Sequence, residues 1–332
     1  MKIKENHEFI PPLIIRNRHI QSIMNSLGPR KFQANKILNE LKSRRVVIKT
    51  KKDVRLIAEH TVSNAERPQR KIKYLVVLLH GWEGSSESAY MVTTTNTLLV
   101  NGFDVLRLNF RDHGDSHYLN KELFNSTRIE EVGDAIQEFK EQNQYQKILL
   151  GGFSLGGNFA LRISSDRGND LSIAATIAIC PPIDPNNALK KMNDSLFIYH
   201  YYFIKRWRRS LNKKLKYFPN KTIEGLLKKA KTLRSMNETF IPKLTEFSTP
   251  EDYFKSYALS GERLNAISSP THIIMSKDDP IIPSEDISKL CENKHIHREI
   301  YKYGGHCGFI ENLKGESWLQ TRFVMLFERY LR

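Results

Sequence analysis

A serine flanked by glycines, Gly152-Phe153-Ser154-Leu155-Gly156, carries the strongest chemical signal in this chain. The apolar run Ile148-Leu149-Leu150-Gly151 before it reads as a short buried strand, and Gly157 to Arg162 after it reads as a helix. G-x-S-x-G on a strand-to-helix turn is a nucleophile elbow. Glycines make room for a bend too tight for ordinary side chains, and the bend lifts the Ser154 hydroxyl above the sheet. A serine hydroxyl is a weak nucleophile at neutral pH, so it needs a base, and the base needs an orienting acid. The acid is expected where the β-like run Thr271–Met275 ends, in Ser276-Lys277-Asp278-Asp279-Pro280-Ile281-Ile282-Pro283. Asp279 is favoured by the Pro-Ile-Ile-Pro that follows it. Asp278 is the alternative, and a third reading has both aspartates capping a helix that begins near Ser284. The base is expected at His306, inside Tyr303-Gly304-Gly305-His306-Cys307-Gly308, a glycine loop able to carry an imidazole over a strand end. His295 and His297 are nearby, but their flanks read as a helix end and a strand surface.

A fourth element lies upstream. The buried strand Leu75–Leu79 runs into His80-Gly81-Trp82-Glu83-Gly84, an H-G-x-x-G loop whose glycines let backbone, rather than side chain, approach a substrate. The backbone N–H groups of Trp82 and Leu155 are the expected oxyanion donors. His80 is expected to brace this loop and not to act as a base.

These motifs resemble the α/β-hydrolase superfamily, and their flanks resemble its YheT-like group. The likeness rests on Phe9-Ile10-Pro11-Pro12, Arg16-Asn17-Arg18-His19-Ile20-Gln21-Ser22, Asn109 to Ser116, Asp278-Asp279-Pro280 and the basic stretch Tyr201 to Leu215. It covers most of the chain, strongly in the loops and loosely in the basic stretch. The resemblance implies a carboxylic ester hydrolase; the group includes medium-chain fatty-acyl esterases and ethyl ester synthases. Arg111-Asp112-His113-Gly114 departs from the Arg-Gly followed by a small residue found in many members, so substrate preference does not carry over.

The elements that must position these residues are legible as an alternation. Arg45–Lys49 and Val54–Ala58 read as an antiparallel hairpin, followed by strands at 74–80, 104–110, 147–152, 172–180, 271–276 and 296–302 with helices between. That pattern predicts an α/β fold, a mostly parallel sheet covered by helices on both faces. Trp82, Asp112, Ser154, Asp279 and His306 all fall at carboxyl ends of strands, where such sheets bind ligands. The β pattern stops after Pro181-Pro182 and resumes near Leu264, so a helical cap is expected after the sixth strand. The expected organisation is an N-terminal arm at 1–44, a hydrolase core at 45–184 and 265–332, and a cap at 185–264.

The chain has 332 residues and a formal net charge of +16. Twelve Lys and Arg against one acid, Glu224, fall between Lys205 and Arg234, directly after the aromatic run Phe197–Phe203. Three readings of this segment stand: a roof over the site with solvated charges, a contact with an anionic membrane surface, or a site for a phosphorylated substrate such as an acyl-CoA. Nothing supports nucleic acid beyond charge. No apolar run reaches the ~20 residues of a membrane span, Met1 to Asn6 lacks a signal-peptide core, and Cys180, Cys291 and Cys307 form no spaced pair. The expectation is a cytoplasmic enzyme with a small acyl ester as substrate, with or without a peripheral contact at the inner membrane surface. No cofactor is expected. The scattered histidines show no metal-ligand spacing, and Cys307 reads as packing. The reading these residues favour is ester hydrolysis through an acyl-enzyme on Ser154. Acyl transfer by the same residues, or an idle hydrolase fold used for binding, are the alternatives.

Overall fold

Six consecutive buried residues, Tyr74–Leu79, form the strand around which the molecule is layered. Side chains alternate across a strand, and here Leu75, Val77 and Leu79 join Ile136 and Phe159 on one face, while Val76 and Leu78 join Met91 and Phe323 on the other. A strand buried on both faces needs a continuous apolar run, which this segment supplies.

The computed structural model describes residues 4–6, 9–65 and 72–331; Met1 to Ile3, part of the start that lacks a signal-peptide core, lie outside the described residues. The strands are β1 (Lys4–Asn6), β2 (Arg44–Lys49), β3 (Arg55–Thr61), β4 (Tyr74–Leu79), β5 (Asp104–Leu108), β6 (Lys147–Phe153), β7 (Ile173–Ile179), β8 (Thr271–Ser276) and β9 (Ile296–Tyr301). They form one sheet in the order β1-β9-β8-β7-β6-β4-β5-β3-β2. Every pairing is parallel except β2 with β3 and β3 with β5. The helices are α1 (Arg18–Met24), α2 (Pro29–Glu40), α3 (Ala89–Val100), α4 (Ile129–Gln142), α5 (Leu155–Arg167), α6 (Pro185–Asp194), α7 (Phe197–Tyr217), α8 (Lys221–Lys229), α9 (Leu233–Leu244), α10 (Pro250–Ser256) and α11 (Trp318–Glu328). α4 and α5 cover one face of the sheet, and α3 and α11 cover the other.

The expected hairpin and six parallel strands are present with ends shifted by no more than three residues. The short β1, which pairs with β9, was not anticipated, so the helical insertion follows the seventh strand and not the sixth. That insertion, α6 to α10, has a small core of its own, where Leu211 of α7 meets Ile223, Leu226 and Leu227 of α8 and Met236 and Phe240 of α9. Described residues of the expected N-terminal arm pack on the core. Phe9 packs on Phe309 with ring centroids 5.3 Å apart, and the buried Arg30 of α2 donates to Thr93 Oγ1 of α3 and Asn25 Oδ1.

The aromatic run Phe197–Phe203 is split by helical periodicity, which puts residues four apart on one face. Tyr199, Phe203 and Trp207 face the core, with Phe203 stacked on Trp82 at 5.2 Å. Phe197, Ile198 and Tyr201 stay exposed.

Candidate active site

Each central strand ends in a residue that the site uses. β6 runs into Ser154, whose backbone is held at φ 53°, ψ −120° before α5 begins. A non-glycine residue there is strained and persists only when its surroundings fix it. The two flanking glycines are that surrounding: a Cβ on Gly152 would lie 2.2 Å from the Gly156 carbonyl oxygen, and one on Gly156 would lie 2.3 Å from the Leu79 carbonyl oxygen. A side chain at Gly152 would collide with the first turn of α5, and one at Gly156 would push the elbow off the end of β4.

The loops after β8 and β9 bring the partners. His306 Nε2 accepts from Ser154 Oγ at 3.0 Å, and His306 Nδ1–H donates to Asp279 Oδ2 at 2.8 Å. The second oxygen of Asp279 accepts from the N–H groups of Ile281 and Ile282 at 2.8 and 2.9 Å, which fixes the carboxylate in the turn after β8. Asp278 accepts from the Gly305 N–H at 2.9 Å and makes no recorded contact with the imidazole. His272 and His297 stack on each other on β8 and β9 at 4.7 Å, and the ring nitrogens of His272 are engaged by Glu299 and Tyr330.

Burial opposes charge on His306, but the Asp279 carboxylate in particular, aided by Cys307, raises its pKa well above the ordinary 6.5. Three glycines do not make the loop open, because α1 packs against it. Ser22 Oγ accepts from the His306 N–H at 2.8 Å, and a Cβ on Gly305 would lie 2.5 Å from the Arg18 carbonyl oxygen. Gln21 clamps the same loop with its amide, donating to Ile310 O and accepting from Ile310 N.

The loop after β4 supplies Trp82. Its neighbours spend their N–H groups, Gly81 on Tyr90 Oη and Glu83 on His113 Nε2. The Trp82 and Leu155 N–H groups have no hydrogen-bond partner among the described residues, and both residues line the same cavity as Ser154 and His306. His80 braces the loop: Nδ1–H donates to Gly81 O and Nε2 accepts from Phe110 N. Both ring nitrogens are thereby engaged in the neutral form, and burial holds its pKa well below 6.5. Burial also pushes the Glu83 carboxyl up to about 8, so at neutral pH it adds little negative charge beside the Trp82 amide.

The cavity over these groups has a volume of about 820 Å³, within the range of small-molecule sites. Phe124, Met192, Phe203, Trp207 and Phe240 give it mostly apolar walls, and α7 forms its roof. Asp112, after β5, has positive φ (57°) and is tied to the roof by Lys214 of α7, Nζ to Oδ1 at 2.7 Å, with both side chains buried. The departure at Arg111-Asp112-His113 is therefore a cap anchor.

Two cysteines also reach this point. Cys180, just beyond β7, and Cys307 place their sulfurs within 4.8 Å of each other and of His306 Nε2. No pattern in the sequence marks this grouping, because the two cysteines lie 127 residues apart (307 − 180) and share no motif.

Comparison with known proteins agrees with this architecture. The chain is 23% identical over 331 residues to the YheT protein of Escherichia coli (strain K12), whose name proposes an esterase, covering 98% of this chain and 94% of that protein. It is 23% identical to medium-chain fatty acid ethyl ester synthase/esterase 2 of Saccharomyces cerevisiae over 77% of this chain, which spans 62% of the yeast protein. Among solved structures, an esterase of Pyrococcus furiosus superposes over the full length of both chains with a TM-score of 0.58 at 18% identity. The family model described as alpha/beta hydrolase fold matches residues 74–313, more than two thirds of the chain, and the protein belongs to that family.

Proposed function

We propose that the protein is a serine carboxylic ester hydrolase acting on short- to medium-chain acyl esters. One observation carries this reading: the unbroken hydrogen-bonded chain from Ser154 through His306 to Asp279, at 3.0 and 2.8 Å, opening on an apolar cavity. Ser154 Oγ attacks the ester carbonyl carbon as its proton passes to His306 Nε2. Asp279 keeps the Nδ1 tautomer in place and stabilises the imidazolium that forms. The unpartnered N–H groups of Trp82 and Leu155 take the developing oxyanion. The alcohol leaves with the proton from Nε2, and water, activated by the same nitrogen, then cleaves the acyl-enzyme. The esterase names of the relatives support this reaction class.

An alcohol in place of water would give ester synthesis from the same acyl-enzyme. The yeast relative's name joins both activities, and the product ratio in an alcohol-containing assay separates them. A membrane contact is the second reading that an observation favours. Leu13, Ile14, Phe197 and Ile198 are exposed, and α1 meets α7 where His19 Nδ1 and Tyr199 Oη lie 3.0 Å apart. Ile23 and Ile198 also line the cavity, so the apolar strip borders its mouth.

The test combines fluorophosphonate labelling with a p-nitrophenyl ester series from acetate to laurate. The wild type is expected to label at Ser154 and to prefer short or medium chains. Ser154→Ala is expected to lose labelling and on the order of 10⁴-fold or more in kcat, because residues acting as a unit fail together. A tenth of wild-type activity in the variant would remove the assignment.

A further inference from the structure

Ester hydrolysis leaves two buried thiols beside the base without a role. Cys180 and Cys307 are 0% and 2% exposed, and neither is in a disulfide. Both sit in left-handed backbone, at φ 44° and 58°, which non-glycine residues rarely adopt. Cys307 Sγ is 4.0 Å from His306 Nε2, and all three of Cys180 Sγ, Cys307 Sγ and Nε2 lie within 4.8 Å of one another. This is the one such group of three or more His, Cys, Asp or Glu among the described residues.

The geometry is close to that of a bound soft cation. Zinc sits about 2.3 Å from thiolate sulfur and about 2.0 Å from imidazole nitrogen, and a triangle with edges no longer than the observed limit has its centre within about 2.8 Å of each corner. A contraction of about half an ångström, within the reach of small side-chain rotations, would bring the donors to bonding distance. The chemistry fits as well. Thiolate and imidazole select zinc over magnesium or calcium, and two thiolates neutralise the dication, so the burial of the group leaves no net charge unpaired. Asp279 accepts the Nδ1 proton of His306, the outer-shell bond that metal-bound imidazoles commonly make. Ser154 Oγ lies 3.0 Å from Nε2, and the cavity lined by Ser154, His306 and Cys307 gives an approach.

We propose that Cys180, Cys307 and His306 form an inhibitory site for a soft divalent cation, of which zinc is the fitting member. Binding displaces one proton from each thiol to solvent, while His306 keeps its Nδ1 proton and gives its Nε2 lone pair to the metal. That lone pair is the one the hydrolytic reading assigns to the Ser154 proton, so a loaded site cannot activate the serine. Inhibition rests on that reading; metal binding does not.

The experiment uses the full chain under a non-chelating phosphine reductant in metal-free buffer. Cobalt(II) is expected to give thiolate-to-metal charge-transfer absorption saturating at one ion per chain and bleached by zinc. Zinc is expected to reduce ester hydrolysis and fluorophosphonate labelling of Ser154 at least tenfold, with recovery on adding EDTA. Cys180→Ser is expected to keep the hydrolysis rate and to need roughly a hundredfold more zinc for the same inhibition. Cys307→Ala, read through cobalt alone, is expected to lose most of the charge-transfer band. Absence of that band at saturating cobalt would overturn the site. Equal zinc sensitivity in wild type and Cys180→Ser would overturn it too, and would move the inhibition to other ligands such as His272 and His297. A chain that hydrolyses no ester but shows the cobalt band in wild type and not in the variants would refute the esterase reading while leaving the metal site intact. Cobalt binding through both thiols without loss of activity on zinc addition would refute the inhibition.

Discussion

Asp278 and Asp279 are adjacent carboxylates with different tasks. Asp279 faces the imidazole, and Asp278 holds the Gly305 amide that carries it. Asp279→Asn is therefore expected to cost roughly 10³–10⁴ in kcat by favouring the wrong imidazole tautomer. Asp278→Asn keeps an oxygen acceptor for Gly305 and is expected to cost less than about tenfold, a difference of one hydrogen bond's strength. Steady-state kinetics of the two variants checks the ranking. The pH profile follows from the same contact. Asp279 raises the His306 pKa above 6.5, and the base must be neutral to work. The acid limb of kcat/KM in metal-free buffer is therefore expected to have its midpoint above 6.5, falling when Asp279 is replaced. Stability has the opposite sign: a raised folded-state pKa stabilises fully below the unfolded value, and that contribution disappears as pH rises through the folded value. A profile flat down to pH 5, about the lower edge of the histidine range, would exclude a histidine base. Ser154, Asp279 and His306 were readable in sequence because each sits in a local pattern of glycine or proline that a strand end requires. Ser22 and Cys180 were not. Their contacts with the base loop join residues 284 and 127 positions apart, and nothing local to either residue points to that loop.

The elements carry the next constraint, through the contact between α7 and the loop after β5. Burial pushes the Asp112 carboxyl up and the Lys214 ammonium down, so both groups would be better solvated elsewhere. Pairs of this kind are poor net stabilisers but costly to break on one side. Lys214 Nζ also bonds the Asn120 carbonyl, which ties the roof to the loop at two points. Lys214→Met is expected to destabilise the protein by about 3–5 kcal/mol by stranding Asp112. Adding Asp112→Gly to that variant is expected to restore much of the loss, since it removes the orphaned charge and relieves a positive φ. Urea titrations of both variants measure this, and a double variant less stable than Lys214→Met would refute the coupling. The strands β4 and β7 were legible because apolar runs of six or seven residues announce themselves. The roof was legible only as helical and basic, and its register against the core was not. Arg208, counted among the surface charges, in fact donates to the Leu227 and Ala230 carbonyls at the end of α8.

At the scale of the whole molecule, the net charge of +16 and the exposed apolar side chains near the cavity mouth are the two features on which the proposed membrane contact rests. No described helix is long and apolar enough to cross a membrane, and the contact proposed above is a peripheral one through this face. Leu13, Ile14, Phe197 and Ile198 offer exposed apolar side chains, while Lys205 and Lys216 are exposed cations on α7. Each basic residue near an anionic bilayer contributes about 1 kcal/mol within a Debye length of about 8 Å at physiological salt. Burying an apolar side chain adds about 1.5–3 kcal/mol, so charge and apolar area together are enough for reversible binding. Sedimentation with vesicles containing anionic lipid is expected to carry the protein down, neutral vesicles much less, and added salt is expected to release part of the bound fraction. Lys205→Glu with Lys216→Glu should abolish the difference between the two vesicle types, and Leu13→Ser with Phe197→Ser should weaken binding to both. All four positions avoid the Ser154–His306–Asp279 chain, so hydrolysis of a short soluble ester should survive in each variant. If the wild type stays in solution with anionic vesicles at low salt, the exposed strip is no membrane contact, and the roof serves only to close the cavity.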